Sequence, residues 1–296
     1  MRTHILDSPI SYYAIFLSVR YLPVRLCHLM GKIVALIVYV FAKRDRHGLA
    51  FNISIALKKA PEDPFIKKTI RRIFINYGQY LVDFFLLPQL PPARIRSFFC
   101  RINGEEILKR ALAKGKGVIL LSAHIGNWEL GGYVLRMENH PLAVVALAHN
   151  TRATNALVNR MRKYRGINVI EVGRSPFSGI EIMNHLRKNE IVAMVGDRDL
   201  SGGGLKVDFF GRKVRFPAGP VVMAMKSGAA LIPAFILRQP DGRYSAVLEK
   251  AIPLVLQGKK DELIKKNLEY TVRVFEHYIR QHPDQWYSPD PILSED

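Results

Sequence analysis

The stretch Val118 to Gly132 reads VILLSAHIGNWELGG and passes from an apolar run, through a histidine, into a polar segment flanked by glycines. Val118 to Leu121 is short, apolar and β-branched at its start, and it follows the turn-forming Lys114-Gly115-Lys116-Gly117, so it is expected to form a buried strand. His124 then falls just past the strand end. Asn127 through Leu135 carries helix formers with apolar spacing. A strand, a loop and a helix in that order place polar groups at the carboxyl edge of a sheet, where open α/β sheets bind their ligands.

His124 and Glu129 lie within this stretch, and an imidazole paired with a carboxylate can take a proton from a hydroxyl or amine. On a continuous helix the two side chains would point about 140° apart. They therefore meet only if His124 precedes the helix, and Gly126 makes such a bend easy. His185 and Glu190 have the same spacing but lie in NHLRKNE, a helix end running into a strand, with Arg187 and Lys188 as neighbours. Spacing alone thus matches twice, and context favours His124 as the residue that does chemistry.

Working outward, strands are expected at 142–148, 168–172, 191–195, 207–210 and 230–237, with helices at 154–164, 179–188 and 220–226. This alternation predicts an α/β fold with a largely parallel central sheet flanked by helices. The strand at 191–195 ends in Asp197, Arg198 and Asp199 and a glycine-rich loop without Walker or GxGxxG spacing. Arg212, Lys213 and Arg215 follow as a basic turn that could meet phosphate or simply face solvent. A long amphipathic helix is expected at 262–281.

Upstream, residues 10–42 concentrate apolar side chains but are interrupted by Arg20, Pro23, Arg25 and Lys32, and Lys43, Arg44 and Arg46 follow. A spanning helix wants about 20 consecutive apolar residues, so one or two helices lying in a membrane surface are expected, with the basic cluster on anionic headgroups. The organisation that results is a membrane-associated helical segment at 1–46 and a large α/β domain at 47–296. The latter divides into a helical lead-in at 47–92, a core at 100–260 and the helix at 262–281.

Of 296 residues 49% are hydrophobic, enough for a sizeable core, and the formal net charge is +19. Such an excess calls for an anionic partner. Lysines and arginines are spread along the chain without aromatic interleaving, which favours a membrane surface or anionic ligand over nucleic acid. Cys27 and Cys100 have no CxxC or histidine-rich context, so neither disulfide nor metal site is expected, and both are anticipated to be buried.

HIGNWE at 124–129, GDRD at 196–199, VDFFG at 207–211, PAGP at 217–220, SGAALIP at 227–233 and HPDQWY at 282–287 together resemble the lipid A biosynthesis acyltransferases, the lauroyl and myristoyl transferases of Gram-negative bacteria. That family is related to the glycerolphosphate acyltransferases through a His-x4-Asp/Glu motif, and an NxxxAL element at Asn52 to Leu57 extends the resemblance. It implies a glycerolphosphate-acyltransferase-like fold for the domain at 47–296, with His124 as general base and Glu129 orienting the imidazole. It also implies substrate contacts from Asp197 and from an arginine about 30 residues after the glutamate. Arg160, Arg162 and Arg165 fall there, with Arg162 the first choice and Arg165 the next. Asn127, Arg198 and Arg215 complete the substrate-binding candidates. Many family members carry Gln where this chain has Arg198.

The implied reaction moves a fatty acyl chain from acyl carrier protein or coenzyme A to an anionic glycolipid, a lipid A precursor first of all. The thioester is a co-substrate and no cofactor is needed. The implied location is the cytoplasmic face of the bacterial inner membrane. A lysophospholipid or aminolipid acceptor, and a lipid-binding protein without turnover, are the alternatives.

Overall fold

A computed structural model of the chain describes residues 9–149, 151–173, 177–199 and 202–293. The first eight residues of the amino-terminal segment, Leu200 and Ser201 of the glycine-rich loop, and 294–296 of the tail lie outside the described residues. Four helices come first: α1 (Pro9–Tyr21), α2 (Val24–Phe41), α3 (Lys43–Leu57) and α4 (Pro64–Leu86). There follow α5 (Pro92–Arg96), β1 (Phe99–Asn103), α6 (Glu105–Leu112), β2 (Val118–Ser122), α7 (Trp128–Met137), β3 (Leu142–Leu147), α8 (Arg152–Tyr164), β4 (Asn168–Val172), α9 (Ser178–Arg187) and β5 (Ile191–Val195). The chain closes with β6 (Leu205–Phe209), β7 (Arg212–Phe216), α10 (Gly219–Ser227), β8 (Ala230–Arg238), β9 (Tyr244–Leu248) and α11 (Lys260–Gln281).

Among the described residues, seven strands form one sheet in the order β1-β9-β8-β2-β5-β3-β4. β8, β2, β5, β3 and β4 are mutually parallel, and β9 runs antiparallel to β8. The parallel α/β sheet expected from the alternation is therefore present. β1 and β9 escaped that expectation: β1 is an edge strand whose polar residues break the apolar pattern, and β9, between β1 and β8, is a short mixed run. β6 and β7 pair as a separate hairpin, so Arg212, Lys213 and Arg215 lie along a strand and not at a turn. Cys27 is buried, but Cys100 is exposed, because it sits on edge strand β1 facing away from the core.

Crossover handedness sorts the helices onto two faces. From β2 to β3 and on to β4 the chain moves one way across the sheet. From β4 to β5 and from β5 to β8 it moves back. Right-handed crossovers then put α7 and α8 on one face and α9 and α10 on the other. Side-chain alternation agrees for α7, α9 and α10. Val118 and Leu120 pack with Leu130 and Tyr133 of α7, while Ile119 and Leu121 pack with Ile182 of α9 and Ala224 of α10.

α2 is long and apolar enough, by length and composition, to cross a membrane, with a mean hydropathy of 1.8. Cys27, Ala35 and Val38 are its buried residues. At Gly31 the helix comes so close to α4 that an added Cβ would stand 2.7 Å from Val82. The opposite side leaves Leu29, Ile33, Ile37 and Phe41 exposed, and α1 exposes Ile10, Tyr13 and Leu17.

Candidate active site

The register of two parallel strands builds the centre of the site. Ser122 of β2 stands opposite Val195 of β5. Two residues further on, both chains have left the sheet at its carboxyl edge with His124 beside Asp197, and the pair forms: His124 Nδ1 lies 2.6 Å from Asp197 Oδ1. Asp197 is fully buried and its second oxygen accepts a hydrogen bond from the indole Nε1–H of Trp286 at 3.0 Å. An ionised carboxylate only accepts, so the proton of the neutral imidazole sits on Nδ1 and Nε2 is the free acceptor. About a quarter of the His124 side chain is exposed, and it lines a cavity of about 1260 Å³.

Burial holds the His124 imidazole below its ordinary value, and the Arg198 guanidinium pushes the same way against the opposing charge of Asp197. For Asp197, burial alone would raise the carboxyl. The imidazole, Arg198 and the Trp286 donor outweigh it and keep the group well below the usual carboxylate range. The two shifts together favour an ionised carboxylate beside a neutral imidazole.

The loop that presents His124 turns at Gly126, where φ is +65°. Its neighbours are backbone. Asn127 N–H donates to the Ile236 carbonyl at 2.8 Å and Gly126 N–H to that of Gln285 at 3.1 Å. A Cβ at 126 would lie 1.9 Å from the Ile236 oxygen. At a compatible site the substitution stabilises by about 0.4–1 kcal/mol, whereas here Gly126→Ala is expected to destabilise by more than that amount. Thermal melts should show a lowered Tm, and a wild-type Tm would remove this requirement.

Glu129 does not reach the imidazole, although His124 does precede α7. Both Glu129 oxygens are held by Arg162 of α8, whose Nε–H donates at 3.2 Å and whose Nη2 donates to the other oxygen. Arg162 Nη1 donates to Asn159 Oδ1 at 3.3 Å. Glu129 and Arg162 are almost wholly buried, and a buried guanidinium takes the nearest carboxylate because leaving either charge alone is costly. The expected His124–Glu129 contact is therefore corrected to His124–Asp197. Spacing did yield a bond at the second match, His185 Nδ1 to Glu190 Oε2 at 2.5 Å, where Asn189 at positive φ folds the chain back at the opposite edge of the sheet.

The remaining candidates divide by surroundings. Arg198 lines the cavity beside His124, donates from Nη2 to the Tyr287 carbonyl, and keeps a buried Nε–H with no partner among the described residues. Asn127 is buried and caps α7, its Oδ1 accepting from Leu130 N–H at 3.2 Å. Arg165 donates to the carbonyls of Pro88 and Leu90, away from the cavity. Arg160 is exposed. Arg215 is also exposed and donates to the Gly204 carbonyl at 3.2 Å.

Three supports were not legible as site residues. HPDQWY runs beside the His124 loop: Trp286 bridges Ile125, Tyr287 N–H donates to the His124 carbonyl, and the Tyr287 ring stacks on Tyr77 at 3.8 Å. The Asn52 of NxxxAL fastens the tail that follows, donating to the carbonyls of Ser288 and Asp290 at 2.8 and 2.7 Å. Beneath the loop, buried Asp83 accepts from the Tyr244 hydroxyl and lies 2.7 Å from His28 Nε2 of α2. A tryptophan in a polar tail signals burial but not what it touches.

Fold and site together define a parallel α/β protein with a His–Asp pair at the carboxyl edge of its sheet, above a large apolar cavity. The chain belongs to the bacterial lipid A biosynthesis acyltransferase family, whose sequence profile matches residues 6–288. It is 33% identical over 200 residues to the phosphatidylinositol mannoside acyltransferase of Mycobacterium tuberculosis, covering 64% of this chain and 61% of that protein. It is 30% identical over 195 residues to the same-named protein of Mycolicibacterium smegmatis, covering 64% and 62%. Identity to the lipid A biosynthesis palmitoleoyltransferase of Escherichia coli is 27% over 222 residues, covering 74% and 69%. The chain thus spans about three fifths of the length of the mannoside acyltransferases it matches.

Proposed function

We propose that this protein is an O-acyltransferase that moves a fatty acyl chain from a thioester, on acyl carrier protein or coenzyme A, to a hydroxyl of a phosphorylated glycolipid. A lipid A precursor and a phosphatidylinositol mannoside are the acceptors that its relatives' names suggest. The observation that carries the reading is the His124–Asp197 pair, with Nε2 free on a side chain that lines the cavity.

His124 Nε2 takes the proton of the acceptor hydroxyl, whose oxygen attacks the thioester carbonyl. Asp197 stabilises the imidazolium that forms. The Arg198 Nε–H is positioned to donate to an anionic oxygen, whether the developing oxyanion or a phosphate. As the tetrahedral intermediate collapses, the carbon–sulfur bond breaks, the ester carbon–oxygen bond remains, and the proton passes from the imidazolium to the departing thiolate. No acyl-enzyme is required.

The exposed apolar sides of α1 and α2 lie in the surface of a membrane, the cytoplasmic face of the inner membrane in this reading. The net charge of +19 favours anionic headgroups and an anionic donor. The donor's acyl chain occupies the part of the cavity between the sheet and α7, bounded by Leu120, Val134 and Ile236, with Ala193 of β5 on its floor.

Purified protein incubated with acyl carrier protein or coenzyme A thioesters of graded length and each glycolipid should give an acylated product by mass spectrometry. Ala193→Phe should move the preferred chain to a shorter one. Product at the same rate from His124→Ala would overturn the base assignment, and an unchanged length preference would overturn the chain's placement.

A further inference from the structure

The cavity that reaches His124 is not confined to one side of the sheet. One lobe lies on the α7 face, floored by Leu120 and Ala193. A second lobe lies on the opposite face, floored by Val145 and Met194 and walled by Ser178 and Ile182 of α9 and Met223 of α10. Neighbouring residues of one strand, Ala193 and Met194, point into different lobes, as the alternation of a strand requires. Both lobes reach the carboxyl edge of the sheet, where His124, Val195 and Arg198 line the cavity. At about 1260 Å³ the whole exceeds the ~300–1,000 Å³ range of sites for a single small ligand.

The mouth of the second lobe is apolar. Phe177 and Ile180, which flank the lining residues Ser178 and Gly179, are 67% and 59% exposed. The amino-terminal helices also reach the cavity: Tyr12 of α1 makes an edge contact at 6.1 Å with His149, and both line it. The same helix exposes Ile10, Tyr13 and Leu17. One cavity is thus lined both by a helix that exposes apolar side chains and by the apolar residues of the second lobe.

We propose that this second lobe binds a hydrocarbon chain of the lipid acceptor, so that the protein holds two alkyl chains at once, one on each face of its sheet. The reacting ends then meet at His124, the acceptor hydroxyl from one side and the thioester carbonyl from the other. This rests on the acyl-transfer reading above. It adds that the acceptor is recognised by its own lipid chain as well as by its headgroup.

The test fills each lobe separately in the full chain. Ser178→Trp and Met223→Trp, on different helices, fill the second lobe, and Ala193→Phe fills the first. Titration with the fluorescent fatty acid cis-parinaric acid should count two sites in the wild type and one in each variant, independently of catalysis. In steady-state assays with a diacylated glycolipid and with its deacylated headgroup, both tryptophan variants should raise KM for the diacylated acceptor at least roughly tenfold, the scale on which apolar pockets discriminate. Their preferred donor length should stay at the wild-type value.

One site in the wild type would overturn the proposal. So would a shift of donor length in the tryptophan variants, or equal KM changes for both acceptors. If two chains are counted but no variant or wild type forms product, the acyl-transfer reading fails and the two-lobe binding stands.

Discussion

Asp197→Asn is expected to lower acyl transfer by about 10²–10⁴-fold, the range of a positioned general base, with the fold intact. The loss comes from the tautomer. Trp286 can only donate, so the oxygen of the introduced amide will turn to the indole N–H and its NH₂ will face His124 Nδ1. The imidazole must then accept at Nδ1 and carry its proton on Nε2, where a base is needed. Trp286→Phe, which frees the amide to rotate, should restore part of the rate in the double variant.

The acid limb of kcat/KM provides a second readout, since it reports the imidazole of the free enzyme and activity falls as the pH drops through that value. Burial and Arg198 place the limb below 6.5. Arg198→Gln, which installs the residue common in the family, removes a repelling positive charge and should move the limb to higher pH. Asp197→Asn should move what activity remains to lower pH. If Glu129→Gln shifts the limb and Asp197→Asn does not, the carboxylate that serves His124 has been misassigned.

Arg162→Ala is expected to destabilise the protein by about 3–5 kcal/mol, because it strands Glu129 as a buried, uncompensated charge. Glu129→Ala should cost a similar amount by leaving the guanidinium alone. The double variant should lose much less than the sum, since neither charge remains to be desolvated. Urea unfolding in detergent measures all three, and additivity within about 0.5 kcal/mol would show that the two residues act independently. The pair joins the first turn of α7 to the last turn of α8, so its loss should also loosen the His124 loop.

Much of the fold was legible because its signals are local. The run at Val118 to Leu121, the alternation that follows, and the proline-marked helix starts report burial and backbone preference within a few residues of themselves. Edge strand β1 was not legible, since solvent on one side breaks its apolar pattern, and neither was β9, whose five residues YSAVL are too short and mixed a run to stand out. His124 was legible as a residue at a strand end. Its partner was not, because the sequence offers Glu129 five residues away, whereas Asp197 is 73 residues away and arrives through the parallel register of β2 and β5.

What the sequence determined by itself was the class of fold, the family, and a histidine placed to do chemistry, because these follow from periodicity, punctuation and the order of motifs. What only the tertiary structure decided was which carboxylate is bonded to that histidine and which arginine is already neutralised. It also decided that Trp286, at the far end of the chain, closes the site and that the cavity has a lobe on each face. Those properties depend on which residues a sheet register and a set of crossovers bring within hydrogen-bonding distance, and no spacing along the chain encodes a distance across it.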